Sequence, residues 1–153
     1  MIIKQKYKDI NDTMAHIKIQ IKDSLKYAAE NCPPLYSPEN CFFWLKSRTT
    51  YKNDPQGIEL LQTLPTLLDN NFHGISGAGD CDCFTISICA LLIANNFKNI
   101  NICLVGRSKT TPVHIYVVVY KKGKRIVLDL TNKAPNIERP YPYIQELPIT
   151  IKK

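Results

Sequence analysis

Glycine is scarce in this chain, 6 of 153 residues, and there are only 3 histidines and 1 tryptophan. The opening Met1-Ile2-Ile3-Lys4-Gln5-Lys6 leads into polar sequence with neither an apolar h-region nor a small-residue cleavage site. No secretory signal is visible there, and a cytoplasmic protein is expected. No apolar run is long enough to span a bilayer, so no membrane partner is expected. Repeats, low-complexity tracts and linkers are missing too, which fits one domain. The 20 basic and 13 acidic residues leave a formal charge of +7. The lysines are scattered, however, with clusters only at Lys4, Lys6 and Lys8 and at Lys121-Lys122-Gly123-Lys124-Arg125. Without a basic stripe interleaved with aromatics, no nucleic-acid partner is expected. The 6 cysteines, in a chain lacking a leader, read as reduced thiols rather than a disulfide framework.

What is present concentrates in one stretch. Gly74, Gly77 and Gly79 fall just ahead of Asp80-Cys81-Asp82-Cys83, and Phe84 to Ala94 is apolar almost throughout. A flexible turn there swings into a buried helix, with Asp80 as N-cap and Cys81 at the first helical position. Free N–H groups and the positive helix end favour an anion there, which predicts a lowered thiol pKa and an available thiolate. Cys89 and Cys103, inside apolar runs, read as small buried hydrophobes. Cys81-x-Cys83 could instead hold a metal with His73, but zinc sites usually show a second ligand pair at short spacing and none follows. No metal and no cofactor are expected.

Before that stretch, a helix is predicted from Asn11 or Asp12 to Glu30, despite the strand-like alternation of Ile17-Lys18-Ile19-Gln20-Ile21. His16 within it reads as a surface or core histidine. Ser37-Pro38-Glu39 is an N-cap, a first-turn proline and a first-turn acid, opening a short helix through Lys46. Asp54-Pro55 and Gln56-Gly57 mark a turn, and Pro65 can start another short helix reaching Asn70. Trp44 and Gln62 are the upstream side chains that could donate to an oxyanion beside the backbone N–H of Cys81.

After it, Asn99 to Val105 reads as a strand closed by Gly106. Val113–Tyr120 and Arg125–Thr131 flank a tight turn at Lys122-Gly123, a hairpin in which partners sum to 245. Tyr120 then faces Arg125, Tyr116 faces Asp129, and His114 faces Thr131. His114 and Asp129 become diagonal neighbours on one face, within side-chain reach. An imidazole beside a thiol can take its proton, and a carboxylate on the far ring nitrogen holds the tautomer. The opposite face, with Val113, Ile115, Val117, Val119, Ile126, Leu128 and Leu130, is more apolar, so the sheet must be covered on both sides for His114 to meet the helix.

Taken together, Asp54-Pro55-x-Gly57-x-Glu59-Leu60-Leu61-Gln62-Thr63, Gly79-Asp80-Cys81-Asp82, His114-Ile115-Tyr116-Val117 and Leu128-Asp129-Leu130-Thr131 resemble the transglutaminase-like superfamily of papain-fold cysteine enzymes. The short members found in bacteriophages and prophages are especially similar. The resemblance covers residues 44 to 142. It implies an α+β fold with the nucleophile's helix packed on an antiparallel sheet, Cys81 as nucleophile, His114 as base and Asp129 as its orienting acid. Asp82 matches the family's acid after the nucleophile and reads as structural, whereas Cys83 stands where the family usually has a second acid. The chain reads as a single domain with a catalytic core over 37–142; outside the resemblance, residues 1–36 read as a helical extension and 143–153 as a tail able to add an edge strand. The implied chemistry is acyl transfer from an amide to water or an amine, covering peptidase, amidase and transglutaminase types. The substrate would be a protein or peptide, peptidoglycan peptides included. A non-catalytic structural or interaction protein of a phage particle, contacting other virion proteins, is the alternative.

Overall fold

The computed structural model describes residues 2–6, 10–54, 58–69 and 76–152. In chain order the elements are β1 (Ile2–Lys6), α1 (Ile10–Asn31), α2 (Pro38–Lys46), β2 (Thr50–Tyr51), β3 (Ile58–Gln62), α3 (Leu64–Asp69), β4 (Ala78–Gly79), α4 (Cys81–Ala94), β5 (Ile100–Gly106), β6 (Pro112–Lys121), β7 (Lys124–Leu128) and β8 (Tyr143–Ile149). Helices pack on a four-stranded antiparallel sheet of order β7-β6-β5-β8, an α+β arrangement.

α4 is the hub, buried continuously from Asp82 to Ile93. Helix α1 lies along it and resolves the ambiguous isoleucine run. Ile17 and Ile21, one turn apart, are fully buried while Ile19 faces out, a spacing only a helix produces. Gln20 is buried in the same face and donates from Nε2 to the Leu61 carbonyl at 2.8 Å. Ser24 Oγ accepts from the Leu64 N–H at 3.0 Å and so tethers the start of α3. α2 is capped as predicted, Ser37 Oγ accepting from Asn40 N–H at 3.0 Å.

Two short pairings depart from the reading of the sequence. β1 pairs antiparallel with β3, Ile2 opposite Gln62 and Lys6 opposite Ile58, so the stretch before α1 is a strand and not wholly helical. Its partner lies beyond two helices, and five residues alternate too briefly to reveal it. The turn expected at Pro55 to Gly57 lies outside the described residues. The tail, by contrast, forms β8 and runs antiparallel to β5 along one edge of the sheet.

Both faces of the sheet are covered. Ile115, Val117, Val119, Ile126 and Leu128 join α1 and α4 in the main core. On the other face Cys103, Val105, Tyr116, Val118 and Val127 form a smaller cluster with Tyr120 and Tyr141. No described helix is long and apolar enough to cross a membrane.

Candidate active site

The approach to Cys81 is a tight backbone passage. β4 pairs parallel with β2, the Thr50 N–H donating to Gly77 O at 3.0 Å and the Lys52 N–H to Gly79 O at 2.8 Å. Gly77 has φ +83, and a Cβ there would sit 2.1 Å from the Arg48 carbonyl oxygen, so only glycine fits. The helix then starts as the sequence indicates. Asp80 is the N-cap, its Oδ1 accepting from the N–H groups of Asp82 (3.1 Å) and Cys83 (3.3 Å), and Cys81 is the first helical residue, half-buried. The Cys81 N–H is not among the donors that this cap engages.

His114 and Asp129 come from the β6–β7 hairpin. Its turn has positive φ at Lys122 (52) and Gly123 (75), the geometry of a two-residue turn, and Tyr120 faces Arg125 in the expected register. The ladder stops, however, at Val117 opposite Leu128. The expected pairs Tyr116–Asp129 and His114–Thr131 are therefore not formed. Asn136 doubles back instead, its Oδ1 accepting from Val127 N–H at 2.9 Å while its own N–H donates to Val127 O at 2.8 Å. Even so, His114 Nε2 lies 2.7 Å from Asp129 Oδ2. The other carboxylate oxygen accepts from the Thr131 hydroxyl (2.7 Å) and N–H (3.1 Å).

The departure of β7 opens the edge of β6 to the thiol. Along β6 alternate N–H groups point to β5, as Tyr120 N–H does to Asn99 O at 3.0 Å, so the Ile115 N–H points the other way, where β7 has left. On that side the Ile115 N–H favours the charged form of the Cys81 sulfur. The helix thus packs on one face of the sheet while its tip reaches the edge, and this is how it approaches residues carried by the opposite face. Cys81 and Asp129 line one narrow seam with Phe84, Ile115, Tyr116 and Leu130, too tight to hold a water molecule. Among the described residues no hydrogen bond joins Cys81 Sγ to His114. A roomier groove of about 500 Å³ lies elsewhere, between Ile93, Phe97, Ile149 and Ile151.

The expected lowering of the Cys81 pKa is overturned. Burial pushes the thiol well above its ordinary value, and the Asp82 and Asp80 carboxylates add to the rise, while the Ile115 N–H pulls the other way. A helix N-terminus is worth about 1 kcal/mol to a nearby anion, less than one pKa unit, about 1.4 kcal/mol. Here the Asp80 carboxylate already occupies that position. Asp129 moves oppositely. Burial pushes it up, but hydrogen bonds from His114 and Thr131 outweigh burial and leave it below its ordinary value.

The remaining candidates separate. Gln62 is buried, and its Nε2 donates to Ala78 O (3.1 Å) and to Cys83 Sγ (3.5 Å), so both amide protons are committed and it is not a free oxyanion donor. Trp44 lies under the Arg48 guanidinium, 4.3 Å from the ring centroid, and among the described residues no hydrogen bond or ring contact links it to Cys81. Asp82 is buried, with carboxylate oxygens of Asp54, Asp80 and Asp82 within 4.8 Å of one another. Cys83 donates to Leu60 O at 3.2 Å, so the two sulfurs of Cys-x-Cys have different neighbours. His73 lies outside the described residues.

Two neighbours of the site escaped the sequence reading. Thr131 holds Asp129, a role visible only once the ladder is seen to end early. Tyr51 is placed beside the helix start by the β2–β4 pairing, its ring 6.2 Å from that of Phe84. Burial, then the neighbouring Cys81, Asp80 and Asp82, push its phenol up to about 12. Compared with known proteins, the chain matches no family model and no curated protein.

Proposed function

We propose that this protein is a cysteine-dependent acyl hydrolase or acyltransferase acting on an amide of a protein or peptide through Cys81, His114 and Asp129. The observation that carries this reading is the 2.7 Å contact between His114 Nε2 and Asp129 Oδ2 at the edge where Cys81 arrives. Asp129, held charged, fixes the Nε2–H tautomer and leaves Nδ1 to accept a proton. Because the resting sulfur is held as a thiol, the imidazole takes its proton during attack, and no preformed ion pair is needed. Attack on the amide carbon forms a tetrahedral intermediate whose oxyanion is held by the Cys81 N–H and the Tyr51 hydroxyl. Protonation of the leaving amine by the imidazolium gives a thioester, which water or a second amine releases. The likeness of the four motifs to the transglutaminase-like superfamily, with its papain-type fold, supports the same assignment. No step calls for a cofactor.

The experiment is the alkylation rate of each cysteine against pH, read by peptide mapping, in wild type and His114→Ala. Cys81 reacting faster than Cys32 near pH 7, with that advantage lost in His114→Ala, supports the triad. A Cys81 rate indifferent to His114 overturns it.

Two observations favour a second reading, a non-catalytic structural or interaction protein of a phage particle: the seam is narrow and the thiol is pushed up by burial. In that case no thioester accumulates with an activated acyl probe, and Cys81→Ala leaves assembly unchanged.

A further inference from the structure

The face of the sheet that carries His114 holds a polar network that the triad does not use. Arg125 forks onto Glu138, Nη1 to Oε1 at 2.6 Å and Nη2 to Oε2 at 2.9 Å, and its Nε reaches Glu146 Oε2 at 3.3 Å. Such a bidentate pair fixes the carboxylate in orientation as well as position. Glu138 in turn accepts the Tyr116 hydroxyl in a short hydrogen bond. Tyr116 is almost fully buried, so its ring has no alternative seat. Two residues along the strand, on the same face, the His114 ring lies 5.6 Å from Tyr116, with the planes 36° apart, and 6.4 Å from Tyr141. Glu138 and Tyr141 both belong to the segment between β7 and β8 that begins with Asp129. Asn132 Nδ2 bonded to Ile137 O at 2.9 Å tightens that segment further.

We propose that Arg125, Glu138 and Tyr116 form a positioning relay that seats the His114 imidazole between two tyrosine rings and keeps Nδ1 directed toward the thiol. This rests on the Cys81–His114–Asp129 reading. One hydrogen bond to Asp129 leaves the imidazole free to swivel about the Nε2–Oδ2 line. A ring packed alongside removes that freedom, and Tyr116 can serve as such a wall only while its hydroxyl is anchored. Glu138 is therefore the anchor, and Arg125 holds the anchor in place. Tyr120 supplies the comparison on the same face. Its hydroxyl donates to Glu146 Oε1 at 2.8 Å, and among the described residues no ring contact joins it to His114.

The test uses the full chain. The Cys81 alkylation rate at pH 7 and the His114 tautomer, read from long-range proton–nitrogen NMR correlations, are measured in Tyr116→Phe, Glu138→Gln, Tyr120→Phe and His114→Ala. Tyr116→Phe and Glu138→Gln are expected to lower the rate about three- to tenfold, the scale of one lost buried hydrogen bond, and to mix the His114 tautomers. Tyr120→Phe is expected to leave both unchanged. If Tyr116→Phe matches wild type, or Tyr120→Phe matches Tyr116→Phe, the relay is refuted while the triad stands. If His114→Ala leaves the Cys81 rate unchanged, the triad fails, and the relay with it.

Discussion

His114 and Asp129 meet at 2.7 Å although the strands that carry them have stopped pairing one residue earlier, at Leu128. The contact is made by a carboxylate that Thr131 grips from the other side, not by ladder geometry. Asp129→Asn should keep the shape and lose the tautomer control. The Cys81 alkylation rate at pH 7 is expected to fall about a hundredfold, the lower end of what a positioned base supplies. Thr131→Ala should give a smaller loss in the same assay.

Because burial and then Asp82 and Asp80 hold the Cys81 thiol up, removing one carboxylate should release it. Asp82→Asn is expected to speed alkylation of Cys81 between pH 8 and 9 and to move its rate profile toward lower pH. A shift toward higher pH would mean that Asp82 supports the helix start more than it opposes the thiolate.

The β2–β4 pairing sets Tyr51 beside the helix that Cys81 opens, its ring 6.2 Å from that of Phe84. Tyr51→Phe should slow acylation by an activated ester on the order of a hundredfold, the cost of one oxyanion donor, while leaving alkylation by a neutral haloamide unchanged. Alkylation develops no oxyanion, so the two assays separate a donor from a packing residue.

Gly77→Ala should destabilise the fold by about 1–3 kcal/mol, since the added methyl meets the Arg48 carbonyl in a left-handed backbone. Gly123→Ala has φ +75 but open space around it, so it should cost only about 1 kcal/mol. Thermal melting of both variants compares steric conflict with backbone strain alone.

Acid stability follows from three carboxyls. Asp129 (through His114 and Thr131 against burial), Glu138 (through Arg125) and Glu146 (through Asn101, Tyr120 and Arg125 against burial) all titrate below their ordinary values of 3.8 and 4.5. A depressed folded pKa gives stability that is present above the unfolded value and lost as pH falls through the folded one. Stability should therefore decline below about pH 4.5, and Asp129→Asn should make that decline shallower. On the alkaline side burial pushes the Cys41 thiol up to about 12, so its contribution fades as pH rises past 9.0. Denaturant midpoints measured across pH show both limbs.

Local signals were legible wherever neighbours in sequence are neighbours in space. Ser37-Pro38 opens α2, Asp80 caps α4, Ile17 and Ile21 share a helix face, and Lys122-Gly123 sets the hairpin register, because capping, helical spacing and positive φ act over a few residues. The same short range explains the misses. β1 finds β3 across two helices, and Tyr51 reaches the helix start only through the β2–β4 pairing.

The amino-acid order alone determined where the candidate groups fall along the chain: a cysteine opening a buried helix, and a histidine and an aspartate on the two arms of one hairpin. The tertiary structure decided their state and their partners. It packed α4 on the opposite face and brought its tip to the edge that β7 vacates. It committed the Gln62 amide to Ala78 and Cys83, and it raised a thiol that the helix end alone would have lowered. Desolvation and charge proximity depend on everything that surrounds an atom, and no local stretch of sequence contains that information.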